Sequence, residues 1–204
     1  MFYETALRDK ALLPRDPFKA IVAPRPIGWI STRAPDGRVN LAPYSFFNAF
    51  SSSPAILGFS SEGMKDSATF AIDSGEFVAN LASFDLFHAM NETSASLPRG
   101  TSEFERAGLT MAECRLVKAP RVAQAHAAFE CKVVEMVQLK SHRGAPLENF
   151  LVLGEVVGVH IDDACIAGGR FDTARAKPLG RCGYQDYAVV DGLVALARPA
   201  GGGG

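Results

Sequence analysis

Ile27-Gly28-Trp29-Ile30-Ser31-Thr32, then Ala34-Pro35-Asp36-Gly37-Arg38, then Val39-Asn40-Leu41-Ala42 is the stretch whose pattern decides the fold. Two short apolar runs flank a Pro-Asp-Gly turn. Proline fixes φ and glycine accepts positive φ, so the three residues predict a tight hairpin between antiparallel strands. Downstream, Pro43 opens a segment from Tyr44 to Phe50 that is dense in aromatics and reads as one further strand. Ser51-Ser52-Ser53-Pro54 punctuates it before the apolar run Ala55 to Ser60. Two long strands are expected near 127–139 and 150–161, the second carrying Gly154 and Gly158, which permit a bend or the close approach of another backbone.

Helices interrupt this pattern twice. Lys65 to Asp73 places Ala68, Phe70, Ala71 and Ile72 at near-helical spacing, with Gly75 as its C-terminal stop. After the strand-like Glu76 to Leu81, Ser83 is expected to cap an amphipathic helix that runs to about Ser94. Strands outnumber helices and do not alternate with them, and no GxGxxG follows a strand. A doubly wound dinucleotide fold is thereby excluded. The fold class is mainly β with added helices, built on antiparallel strands.

Composition narrows the functions. The 204 residues include 21 Lys+Arg against 22 Asp+Glu, a formal net charge of −1, so the chain carries no general electrostatic footprint for nucleic acid. Apolar stretches such as 151–160 are broken by Gly and Glu and fall short of the roughly 20 residues that cross a bilayer. Residues 1–15 hold Glu4, Arg8, Asp9 and Lys10 and lack the apolar core of a secretory leader, so a cytoplasmic setting is expected. Cys114, Cys131, Cys165 and Cys182 show no CxxC and read as free thiols. His88, His126, His142 and His160 are scattered, and no spacing proposes a metal. We divide the chain into an N-terminal extension (1–17), one domain (18–190) and a C-terminal tail (191–204) whose four final glycines are expected to be disordered.

Polar groups set among aromatics are densest from Tyr44 to Pro54, with Lys65-Asp66-Ser67 eleven residues on. Serine hydroxyls, turn amides, a helix N-terminus and one lysine together suit a planar, phosphorylated ligand. The same serines also fit an ordinary β-turn and the phenylalanines a packed core. Composition does not choose between them.

A resemblance does. Ala23-Pro24-Arg25-Pro26-Ile27-Gly28-Trp29-Ile30-Ser31-Thr32, Asn40-Leu41-Ala42-Pro43-Tyr44-Ser45-Phe46-Phe47-Asn48, Ser53-Pro54 and Lys65-Asp66-Ser67 resemble the flavin reductase-like family of FMN-binding split-barrel proteins, including its flavoredoxin-like members. Further matches are Gly75 to Leu81, Met90-Asn91-Glu92-Thr93-Ser94, Phe129-Glu130-Cys131, Gly154-Glu155-Val156-Val157 and Arg181 to Tyr184. In order, they cover about residues 18 to 190. The resemblance implies an antiparallel six-stranded split barrel with added helices, and a homodimer with FMN near the subunit interface. It also implies that Tyr44, Ser45, Phe46 and Asn48 border the isoalloxazine and ribityl chain. Ser51, Ser52, Ser53, Lys65, Asp66 and Ser67 would form the phosphate end. Asp66 would repel a phosphate and is therefore expected to orient the site by capping the helix. Arg25, between two prolines, is a further candidate, its alternative being a surface residue in a rigid turn.

The reaction implied is that of an FMN oxidoreductase, which moves reducing equivalents from NADH or NADPH through flavin to free flavin, a partner protein such as a monooxygenase, or a small acceptor. A non-catalytic FMN electron-transfer carrier is the alternative, and a flavin-free binding module the third. The cofactor supplies the chemistry, so no protein nucleophile or base is required. Smaller NADH-dependent members carry a histidine shortly before the Gly-Glu-Val segment; here Pro146-Leu147-Glu148-Asn149 stands in that place. His160, after the segment, is the one candidate catalytic residue, and it equally suits the end of a strand.

Overall fold

The computed structural model describes residues 1–95 and 102–199. Its main sheet has seven antiparallel strands: β1 (Gly28–Arg33), β2 (Val39–Tyr44), β3 (Phe47–Ser52), β4 (Ala55–Glu62), β5 (Glu76–Leu81), β6 (Ala127–Lys140) and β7 (Pro146–Ile161). They lie in the order β2-β1-β5-β6-β7-β4-β3. The opening hairpin is as expected, with Gly28 opposite Tyr44, Arg33 opposite Val39, and Gly37 at φ +93°.

The expected single strand from Tyr44 to Phe50 is corrected. Ser45 and Phe46 form a bend, so β2 ends before it and β3 begins after it. This break accounts for the seventh strand, because the aromatic segment leaves β1 and pairs instead with β4. It also shapes the sheet. β2 and β3 are its two edges, yet only two residues join them, and a chain that short reaches about 11 Å between the flanking Cα atoms. The sheet must therefore curl until its edges meet at one corner. There the Ser60 amide donates to the Phe46 carbonyl at 2.8 Å. Among the described residues no ladder joins β2 to β3, so the barrel stays open along that seam.

Glycine lets the wall close tightly. A Cβ on Gly28 would stand 2.4 Å from the Phe47 ring, and one on Gly154 2.4 Å from the Phe77 ring. Gly154 and Gly158 both sit at register shifts between β6 and β7, as their bend-permitting role anticipates.

Inside the barrel, Ile30, Phe59, Phe77, Cys131 and Val152 pack with Ala68 and Ala71 of helix α1 (Asp66–Ser74). Trp29, Leu41, Met90, Phe104, Val122 and Leu179 form a second cluster outside it. Trp29 and Ile30 thus point into different cores, which is why β1 reads as a continuous apolar run and not as an alternation. Gly75 ends α1 at φ +73°, as expected. The second helix is shorter than expected: a 3-10 turn at Phe84–Leu86 leads into α2 (Phe87–Glu92). Ser83 holds the position before that turn but makes no cap, and its hydroxyl is buried without a partner. The four cysteines are free. No helix among the described residues is long and apolar enough to cross a membrane. Residues 191–199 have no regular structure, and the final glycines lie outside the described residues.

Candidate functional site

Two open clefts adjoin each other beside the seam. The first, about 450 Å³, runs between β2 and the N-terminus of α1 and is lined by Asn40, Ala42, Pro43, Tyr44, Lys65, Asp66, Ser67, Thr93, Ser94 and Glu103. The second, about 360 Å³, is lined by Lys19, Arg25, Ser45, Asn91, Arg181, Tyr184 and Tyr187, among others. Pro43 and Ser94 line both.

Each side chain in the first cleft is fixed by its element. The Ser67 hydroxyl, one residue into α1, donates to Asn40 Oδ1 of β2 at 2.6 Å. Thr93 accepts the Trp29 indole N–H at 2.9 Å and donates to the Met90 carbonyl at 2.7 Å. Tyr44 stacks obliquely on Phe59, ring centroids 4.8 Å apart. Burial raises its hydroxyl above the usual range, against hydrogen bonds with Ser67 and Ser61 that pull the other way. Lys65 precedes α1 in extended conformation, and no side chain caps that helix. The first-turn amides of α1 are therefore left without side-chain acceptors, and the helix dipole adds its positive end there. Asp66 is corrected: it does not cap, but lies exposed in the first turn, where its charge opposes that positive end.

The candidates divide by place. Tyr44, Lys65, Asp66 and Ser67 meet in the first cleft, and Ser45 lines the second. Phe46 is exposed beside the second, with Lys19 Nζ 5.8 Å and the Arg25 guanidinium 5.9 Å from its ring centre. Asn48 turns back on its own strand, accepting from the Ala49 amide. Ser51, Ser52 and Ser53 lie at the β3–β4 hairpin, the far end of β4 from Lys65, up to about 25 Å along an eight-residue strand. Within one chain, the proposed phosphate end is thus not a single group.

His160 lines neither cleft. Its Nε2 lies 2.6 Å from Glu130 Oε1, in a separate hollow beside Arg115 and Leu116. Glu130 is 1% exposed and also accepts the backbone N–H groups of Arg115, Leu116 and Val117. Burial pushes its pKa up, but these bonds and His160 outweigh it and hold the carboxyl below its ordinary value.

Sequence reasoning missed Asn40, Thr93, Ser94, Asn91, Arg181 and Tyr184. All six lie in segments quoted for the resemblance, so the signal was present without a role attached. Arg25, the further candidate, lines the second cleft, and its alternative as a surface residue does not hold: it is buried, 7% exposed, donating to the Lys19, Val22 and Cys182 carbonyls. Two metal-capable trios, Cys114–Glu130–His160 and His126–Asp162–Cys165, also escaped sequence spacing. In the first, both Glu130 oxygens are already occupied by donors. Neither trio lines the two clefts.

The family model described as "Flavin reductase like domain" matches residues 22–174, a span that contains both walls of the first cleft. The chain belongs to the flavin reductase-like family. Solved structures of other proteins share its fold. Nitrilotriacetate monooxygenase component B from Bacillus cereus is similar at a TM-score of 0.86 and 28% identity, over 96% of this chain and 98% of that one. Flavoredoxin of Desulfovibrio vulgaris (Miyazaki F) is similar at 0.77 and 21%, over 88% and 94%. An FMN-binding domain of a flavin reductase-like enzyme from Shewanella baltica OS155 is similar at 0.69 and 19%, over 90% and 96%. The split-barrel, flavin-family reading of the sequence stands. The main sheet has seven strands where six were expected.

Proposed function

We propose that this member of the flavin reductase-like family binds FMN in the first cleft and works as an oxidoreductase. It takes reducing equivalents from NADH or NADPH and delivers them to free flavin, a partner protein or a small acceptor. The observation that carries this is the convergence of Tyr44, Lys65 and Ser67 with Asn40, Thr93 and Ser94 in one cleft, from segments far apart in the chain. The donor set fits a phosphate-bearing flavin: Lys65 is a full positive charge, the first-turn amides of α1 lack side-chain acceptors, and Tyr44 offers an aromatic wall. FMN, when bound, supplies the hydride and electron chemistry. The protein's share is positional. Lys65 and the α1 amides hold the anionic end, and the Ser67–Asn40 bond fixes helix to strand.

A homodimer accompanies this proposal. In it, Ser51, Ser52 and Ser53 are left to approach a cofactor held by a second copy. A monooxygenase component as redox partner is supported by the name of the Bacillus cereus neighbour, and the free thiols suit a cytoplasmic setting.

Purified protein reconstituted with FMN is mixed anaerobically with NADH and, separately, NADPH while flavin absorbance is followed. Bleaching at a rate that supports turnover is expected. Bleaching only by a reduced partner protein instead assigns the carrier role, and failure to bind FMN removes the flavin reading altogether.

A further inference from the structure

The second cleft carries charge that its own walls do not answer. Lys19, Arg25 and Arg181 line it, and no carboxylate does. Among the described residues none of the three forms an ion pair. The buried Arg25 donates only to carbonyl oxygens, and its Nε is enclosed with no partner at all. Carbonyl oxygens accept hydrogen bonds but bring no net charge, so the cost of taking this guanidinium out of water is only partly offset. The first cleft is opposite in balance, with Lys65 against Asp66 and Glu103.

The remaining walls say what kind of anion fits. The Arg181 guanidinium lies over the Tyr187 ring, 4.4 Å from its centre, and its Nη2 donates to the Tyr184 carbonyl at 2.5 Å. This charge is therefore held in place, and a planar guanidinium matches a carboxylate two-pronged. Tyr184 and Tyr187 add aromatic lining, with Arg181 covering one face of Tyr187 and the Arg15 guanidinium, a further cation, 5.6 Å from the Tyr184 ring centre.

We propose that the second cleft is a separate subsite for a small aromatic carboxylate, held by Lys19 and Arg181 against the two tyrosines in the field of buried Arg25. Because Pro43 and Ser94 line both clefts, a ligand here lies against the occupant of the first. That placement rests on the flavin reading; the anion site itself does not.

Calorimetric titration with benzoate, on the protein both free of and saturated with FMN, reads this subsite. Benzoate is expected to bind in both states, and neutral benzyl alcohol about tenfold more weakly. Lys19→Gln, at an exposed position, and Arg181→Gln are each expected to lower benzoate affinity about fivefold or more while FMN affinity stays within about twofold. Equal binding of the acid and the alcohol, or no benzoate binding, overturns the proposal. Loss of FMN affinity in these variants also overturns it and assigns the cations to the cofactor. If wild-type protein binds no FMN, only the flavin reading fails, since titration of the ligand-free protein still decides the anion site.

Discussion

Ser67 donates its hydroxyl to Asn40 Oδ1 across 2.6 Å, with both side chains buried. This bond ties the N-terminus of α1 to the edge strand β2, and so fixes the spacing of the two walls of the first cleft. Ser67→Ala leaves a buried amide oxygen without a donor. We expect a loss of about 1–3 kcal/mol in urea unfolding together with weaker FMN binding. Unchanged unfolding would show that another donor replaces the hydroxyl.

Lys65 is exposed, and among the described residues its side chain makes no hydrogen bond or ion pair, so replacing that side chain separates binding from folding. Lys65→Ala is expected to weaken FMN binding by about 1.5–3 kcal/mol, the range for hydrogen bonds to charged groups, with little change in melting temperature. Fluorescence titration of FMN checks it. An unaltered dissociation constant takes Lys65 out of the phosphate site.

The Glu130 carboxylate gathers three backbone amides and His160, and its pKa lies below the ordinary 4.5. A folded-state pKa lowered in this way contributes stability that is complete above the unfolded value. It is lost as pH falls from about 4.5 through the lower folded value. Urea unfolding between pH 7 and pH 3 should show this loss, and Glu130→Gln should flatten it while lowering stability at pH 7 by about 3 kcal/mol. A variant whose acid limb matches the wild type would place the acid sensitivity elsewhere.

Gly154 faces the Phe77 ring so closely that a Cβ would lie 2.4 Å from it. Gly154→Ala is expected to cost about 1–3 kcal/mol by overpacking. Pairing it with Phe77→Leu should recover part of that loss, so the double variant is less destabilised than the sum of the single ones. Thermal unfolding of the four proteins gives the comparison, and simple additivity would mean that the strand has moved away from the ring.

Local signals were legible where local physics decides the structure. The Pro35-Asp36-Gly37 turn, the Gly75 stop and the long strands β6 and β7 each follow from residues next to one another. The break at Ser45–Phe46 was not legible, because aromatic residues suit a strand on either side of it and only the pairing of β3 with β4 shows where the chain changes partner. Ser83 shows the same limit: its type predicts a cap, while packing encloses the hydroxyl without one.

By itself, the sequence determined the antiparallel class, the absence of a dinucleotide fingerprint, the family resemblance, and Tyr44, Lys65 and Ser67 as candidates for a flavin site. Those features live in short segments, whose periodicity and residue types are set by backbone geometry. Only the tertiary structure decided which candidates meet. Curling of the sheet brings Asn40, Ser67 and Thr93 to one cleft, while the length of β4 carries Ser51, Ser52 and Ser53 to its other end. It also buried Arg25 and set Lys19 and Arg181 around the same opening, a concentration of charge that a chain with a net charge of −1 does not disclose, because charges distant in sequence balance in a sum and not in space.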